Sequence, residues 1–165
     1  MRLRRGGTED VPTLTRLFDE AVAWLTERGS GAQWGTEPWS SDPDKVAKVK
    51  EIAAEELWLA EVDGTTVGAL AVSDTPISYT PPVAEPELYV HLLLVSRGHR
   101  GLNVGGRLLD HARRRARERG TSLVRVDCWA GGDGALVRYY EDQGFTRSLR
   151  VPVRGTEVQV FEDRV

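Results

Sequence analysis

The sequence predicts an α/β fold built on a mixed sheet, and three observations carry that reading. The run ELYVHLLLV at 87–95 is almost continuously apolar, as a central strand buried on both faces is. It leads directly into a glycine-rich turn, HRGLNVGG at 99–106, and then into a helical pattern. Upstream, LWLAEV and TVGALAV flank Asp63-Gly64, a strong hairpin signal. The order hairpin, strand, helix, strand, helix, strands places residues 1–165 in a single domain.

Residues 2–5 read as a short first strand. Thr8 or Asp10 caps a helix with Pro12 in its first turn, where the missing N–H costs nothing. Leu14, Leu17, Phe18, Ala21, Val22 and Leu25 give that helix one apolar face, and Gly29, Ser30 and Gly31 end it. Asp42-Pro43 starts a second helix that runs to about Ala54. After the hairpin, residues 73–86 form a loop carrying Pro76, Pro81, Pro82 and Pro86, long enough in a compact domain to suggest a functional role. Beyond the glycine turn, Leu108, Leu109, Ala112 and Ala116 line one side of a helix. SLVRVDCW is a strand and GALVRYYEDQG a short helix, and Phe145–Arg150 with Glu157–Phe161 close the domain as a strand pair.

Composition narrows the function classes. The 22 basic residues are outnumbered by 25 acidic ones, so no global basic field exists for nucleic acid, and none is expected as a partner. The single cysteine, Cys128, excludes an internal disulfide and a cysteine-based zinc site, and no metal is expected. Met1–Gly7 is rich in Arg and Gly with no apolar stretch behind it, and no apolar run approaches the length of a membrane span. A cytoplasmic protein with no membrane partner is the expectation.

A strand, a glycine turn and a helix start together make an anion site, because the first helical amides lack intrahelical acceptors and sit at the positive end of the dipole. A P-loop needs Gly-Lys-Ser/Thr at that point; here Gly105-Gly106 is followed by Arg107-Leu108. The dinucleotide fingerprint GxGxxG does not match either.

Arg100-x-x-Asn103-x-Gly105-Gly106, placed after LLLVS, resembles the pyrophosphate-binding motif of the GCN5-related N-acetyltransferase (GNAT) family, Gln/Arg-x-x-Gly-x-Gly/Ala. Tyr140-Glu141-x-x-Gly144-Phe145 resembles the same family's C-terminal YExxGF signature, at the expected distance. The predicted element order matches the family over nearly the whole chain. The resemblance implies the acyl-CoA N-acyltransferase fold, with a central, mixed, mostly antiparallel sheet flanked by helices. It implies acetyl-CoA as acyl donor and direct transfer, in a ternary complex, to a primary amine of a small molecule or a protein. Related enzymes often form homodimers.

By this resemblance Arg100, Gly101, Leu102, Asn103, Val104, Gly105 and Gly106 wrap the pyrophosphate, and the backbone of Leu93, Leu94 and Val95 pairs with the pantetheine arm like an added strand. Asn103 departs from the pattern, yet Asn is the non-glycine residue that best tolerates a left-handed backbone. Tyr140 is the expected donor to the departing thiolate, since a phenol stays protonated at neutral pH; a packing tyrosine is the alternative. Asp133 lies where many members place an Asn against the cofactor arm, and Asp cannot donate as Asn does.

His91 is a candidate base, because histidine titrates near neutrality; a hydrogen-bonded core histidine is the other reading. Glu87 shares its strand face and is either a second base or an ordinary strand-start charge. Trp34, Trp39 and the loop 73–86 fall in segments that cover the acceptor in similar proteins. The tryptophans either hold a cationic or aromatic acceptor or pack the loop. Trp24 and Trp58 read as core or helix-packing residues, and His99 and His111 as surface, with His99 within reach of a phosphate. Cys128 reads as a buried small hydrophobe, not a nucleophile. Two other functions stay open: a non-catalytic acyl-CoA-binding module, and a nucleic-acid-binding protein using the arginine-rich helix 107–119.

Overall fold

The structure is a computed structural model that describes residues 1–29, 34–99 and 101–165. Ser30 and Gly31, expected to end the first helix, and Arg100 of the turn lie outside the described residues. The strands are β1 (Arg2–Arg5), β2 (Glu56–Val62), β3 (Thr65–Ser73), β4 (Leu88–Val95), β5 (Leu123–Trp129), β6 (Thr146–Val153) and β7 (Thr156–Arg164). They form one sheet in the order β1-β2-β3-β4-β5-β7-β6. The β4–β5 pair is parallel, whereas β1–β2, β5–β7 and β6–β7 are antiparallel, so the sheet is mixed as expected. The helices are α1 (Val11–Glu27), α2 (Pro43–Ala53), α3 (Val104–Glu118) and α4 (Ala135–Asp142).

Two compact units can be described. The first is Met1–Ala71 with Leu92–Leu108. Its core joins the apolar face of α1 (Leu14, Leu17, Phe18, Val22) to Val49 and Ile52 of α2 and to inward residues of β2 and β4. Asp10 takes the N-cap position of α1 with Pro12 in the first turn, as expected, but without a side-chain cap bond, and Thr8–Asp10 forms a 3-10 turn before it. The Asp10 carboxylate accepts from Gly7 N at 2.9 Å and Arg4 Nη2 at 2.7 Å, so ion pairing to β1 takes its oxygens away from the helix cap. The α2 start is as read, with Asp42 accepting from Asp44 N at 2.9 Å and Pro43 in first position.

Gly68 of β3 sets how closely α3 approaches the sheet. A Cβ there would lie 2.8 Å from Val104 Cγ1, 3.0 Å from Leu108 Cδ1 and 3.3 Å from the Leu94 carbonyl oxygen. Both apolar neighbours are fully buried, with little room to give. Gly68→Ala is expected to lower stability by about 1–3 kcal/mol through overpacking, read as a lower urea midpoint at unchanged m-value. An unchanged midpoint would mean that α3 yields freely.

The second unit is Val72–His91 with Leu109–Val165. The closing strand pair is longer than the sequence suggested. Arg154-Gly155, with φ of +49° and +79°, makes a two-residue turn between β6 and β7 without the Asn-Gly or Asp-Gly signal. The pairing shifts register between Arg147 and Arg150, and buried Gln159 donates to the Ser148 and Leu149 carbonyls there. His111, expected at the surface, is buried, because it falls beside Ala112 on the apolar side of α3. Burial and the neighbouring Arg114 and Arg115 hold its pKa below the usual histidine value.

The arginines of α3 are not a uniform solvated face. Arg113 Nε donates to Asp163 at 2.8 Å and its Nη2 to the Gln143 carbonyl at 2.6 Å, and its guanidinium lies 4.6 Å from the Phe145 ring centre. Arg115 pairs with Glu118. Trp24 and Trp58, read as core or helix-packing residues, are half-buried: Arg97 and Arg28 lie 3.5 and 4.3 Å from Trp24, and Arg5 lies 5.8 Å from Trp58.

Candidate active site

Along β4, Leu92 and Leu94 are buried in the core of the first unit, and by alternation Leu93 and Val95 are half-buried on the other face. The chain then turns through Arg97–His99 in 3-10 form and enters α3 at Val104. Arg107 N donates to the Asn103 carbonyl at 3.0 Å, the first helical bond. The amides of Val104, Gly105 and Gly106 therefore precede the helical ladder and face the positive end of the dipole.

Gly101 has φ of +91°, and a Cβ on it would meet nothing within 4 Å. Asn103 takes φ of +51°, the left-handed conformation that asparagine tolerates. Its side chain folds back over the first turn of α3, where a Cβ on Gly106 would lie 2.7 Å from Asn103 Cγ and 2.6 Å from its Nδ2. Gly106 is thus glycine because Asn103 occupies the space a side chain would need. Leu102 is exposed at the tip of the turn.

The second unit carries the other candidates. Tyr140 of α4 is 6% exposed, its ring 5.5 Å from Phe161 and 6.2 Å from Phe145. Burial holds its phenol well above the usual tyrosine pKa, so it is protonated at any physiological pH. Cys128 of β5 is also buried; burial, then the charge of Asp127, pushes its thiol up to about 12. It is a neutral thiol near pH 7 and a poor nucleophile. Asp133 is exposed and accepts from Ala135 N at 3.0 Å, which holds the start of α4.

Glu87 and His91 bracket one face of β4, and β5 runs parallel beside it with Tyr89 opposite Arg125. Glu87 is 5% and Arg125 1% exposed, and both Glu87 oxygens accept from Arg125, at 2.8 Å each. Arg125 also donates to the Pro81 carbonyl at 3.0 Å. His91 is half-buried, with Nε2 2.7 Å from the Thr75 carbonyl oxygen.

Trp39 lies in the core of the first unit, stacked on Phe18 at 4.1 Å, and its Nε1 donates to the Trp34 carbonyl at 3.2 Å. Trp34 is half-buried against the same cluster. Both rings hold the 34–41 segment onto α1, and Lys45 Nζ sits 4.9 Å from the Trp39 ring.

The model of the acetyltransferase (GNAT) family matches residues 20–145, most of the chain and all of the turn. The chain belongs to the GNAT family. It is 25% identical over 142 residues to YesJ, an uncharacterized N-acetyltransferase of Bacillus subtilis, covering 83% of this chain and 77% of that one. Among solved structures it resembles a GNAT-family acetyltransferase from Listeria monocytogenes, with a TM-score of 0.72 at 21% identity over 99% of this chain and 94% of that one. It also resembles YncA from Salmonella typhimurium, solved with its cofactor acetyl-CoA, with a TM-score of 0.65 at 18% identity over 99% and 93% of the two chains. These structural likenesses carry the fold, and the family match carries the membership.

Within this GNAT chain, sequence reasoning passed over a half-buried carboxylate as well as the buried Arg125. Asp127 of β5 accepts from the hydroxyls of Tyr79, at 2.8 Å, and Tyr89. Burial raises its pKa above the usual aspartate value, against the pull of those two donors and of His91 and Arg125. The signal was present in LVRVDCW: Arg125 and Asp127 alternate with valines inside a strand, and charges buried in a strand need partners. No helix among the described residues is long and apolar enough to cross a membrane.

Proposed function

We propose that this chain is an acetyl-CoA-dependent N-acetyltransferase that moves an acetyl group to a primary amine of a small molecule or protein by direct transfer in a ternary complex, in the cytoplasm. The observation that carries the reading is the turn into α3 in a chain of this family: three leading amides, Gly101 open to approach, and Asn103 left-handed in place of glycine. Those residues fit a pyrophosphate, because backbone N–H groups at a helix start bind phosphate oxygens without needing a side chain. When bound, acetyl-CoA supplies an activated thioester.

The chain's own groups supply the rest. Backbone amides of 101–106 hold the pyrophosphate, and the strand edge of Leu93, Leu94 and Val95 holds the pantetheine arm. A backbone N–H near Leu93 or Leu94 meets the developing oxyanion. Tyr140, kept protonated by burial, gives its proton to the sulfur. His91 takes the amine proton, directly or through water. Glu87 is a weak candidate for that step, since both its oxygens already accept from a buried guanidinium. The neutral Cys128 thiol favours direct transfer over an acyl-cysteine route. Asp133 serves α4 with its carboxylate, and Trp34 and Trp39 serve the core.

Release of free thiol from acetyl-CoA, followed across a broad panel of amines with a no-acceptor control, tests the reading. Amine-dependent release is expected. Thermal stabilisation by acetyl-CoA without turnover on any amine would leave a binding module instead. Asn103→Gly is expected to change acetyl-CoA affinity little, because a left-handed strain of about 1 kcal/mol is present with and without ligand and cancels. A tenfold gain on titration calorimetry would mean that asparagine compromises the turn.

A further inference from the structure

The loop 74–87 is tied to the sheet through a row of polar groups on β4 and β5 that are half-buried or buried. Tyr79 donates to Asp127 Oδ1 at 2.8 Å, and Tyr89 donates to Asp127 Oδ2. Tyr89 has one proton and gives it to the carboxylate, so at the 2.9 Å contact between Tyr89 and Thr80 the threonine hydroxyl is the donor. The next residue, Pro81, accepts through its carbonyl from Arg125. A tight turn, Thr80 N to the Ile77 carbonyl at 2.9 Å, joins this anchored stretch to the start of the loop. Thr75 lies four residues before Tyr79, and its carbonyl oxygen is 2.7 Å from His91 Nε2. A carbonyl only accepts, so Nε2 carries the hydrogen and the neutral ring has its lone pair on Nδ1.

We infer that Asp127 is a positioning residue for His91: through Tyr79 it fixes the loop whose Thr75 carbonyl holds the imidazole in its Nε2–H tautomer, and its charge steadies the imidazolium. The inference rests on the reading of His91 as the base. Register supports the second half: β4 and β5 pair in parallel through Val90–Val126, which brings His91 and Asp127 to the next step of the ladder. Among the described residues, His91 interacts electrostatically with Asp127 of β5, and its ring meets the edge of Tyr89 beside it on β4. Glu87 pairs with Arg125, and among the described residues Asp127 has no ion-pair partner.

Two variants separate positioning from plain stability. Tyr79→Phe keeps the ring and the charge but removes the tether nearest Thr75, leaving those at Thr80 and Pro81; Asp127→Asn keeps the shape but removes the charge. Nitrogen-15 NMR of the imidazoles in the full chain reads the tautomer without any substrate. Wild-type His91 is expected in the Nε2–H form, and both variants are expected to give a mixed population. Asp127→Asn should also move the acidic limb of the kcat/KM profile to lower pH, because a lost negative charge favours neutral imidazole; Tyr79→Phe should not. Each should lower kcat/KM for the amine by about 10–100-fold with the KM for acetyl-CoA held. An Nδ1–H tautomer in the wild type overturns the inference, as does a tautomer and pH profile unmoved in both variants. If the wild type transfers no acetyl group, the reading of function fails, while the NMR result still decides this one.

Discussion

Alanine at His91 is expected to lower kcat/KM for the amine acceptor by about 10²–10⁴-fold, the range that a positioned acid–base group contributes. The reason is chemical. An amine is a cation at neutral pH and attacks a thioester only after losing its proton, so a missing base leaves that step to water. Histidine as a residue type exchanges protons near neutrality, and the Thr75 carbonyl orients the His91 ring. Acetyl-CoA affinity should stay within a few-fold of wild type, since the turn at 101–106 is built from backbone groups on other residues. The measurement is a pair of experiments on one variant: steady-state turnover at saturating acetyl-CoA, and direct titration of the cofactor. A variant that keeps its turnover would remove His91 from the mechanism and point to a base outside β4.

Breaking the Glu87–Arg125 pair should give the largest loss of stability. With Glu87→Ala the Arg125 guanidinium, 1% exposed, keeps its charge and loses both of its carboxylate contacts. A buried charge left without its partner costs about 3–5 kcal/mol, which is a large part of a domain's whole stability. Urea unfolding would read it as a fall in midpoint. Replacing both residues together with apolar side chains of similar volume should recover most of that loss, because the desolvation of both charges disappears at once. The same experiment bears on chemistry. If Glu87 were the base, Glu87→Gln would lose kcat while stability held; as an ion pair it should lose stability first. A Glu87→Ala chain as stable as wild type would show that Arg125 finds water or another acceptor when its partner is gone.

The turn was legible because its physics is local. Gly101, Asn103 and Gly106 report backbone angles and close approach within six residues, and the structure places Asn103 at positive φ as its chemistry suggested. The hairpin at Asp63-Gly64 and the capped start of α2 were legible for the same reason, since a few consecutive residues decide them. Tryptophans read less well. Trp39 and Trp24 carry the same side chain, yet one is stacked in the core and the other is flanked by two arginines. Hydrophobicity alone does not separate the two, and only the neighbours decide. His111 misled in the opposite sense: a polar side chain inside an arginine-rich stretch reads as surface, but the period of α3 turns it inward.

What the sequence by itself determined is the order of elements, the strand–turn–helix that can hold a phosphate, and through its motifs the family. These follow from turn chemistry, hydrophobic period and spacing, which act over a few residues at a time. What only the tertiary structure decided is the polar row beside His91. Tyr79, Tyr89 and Asp127 are separated by up to 48 positions, and each alone looks like an ordinary loop or strand residue. They become one unit because a half-buried carboxylate on an inner strand must find donors wherever the folded chain brings them, and that requirement leaves no local pattern to read.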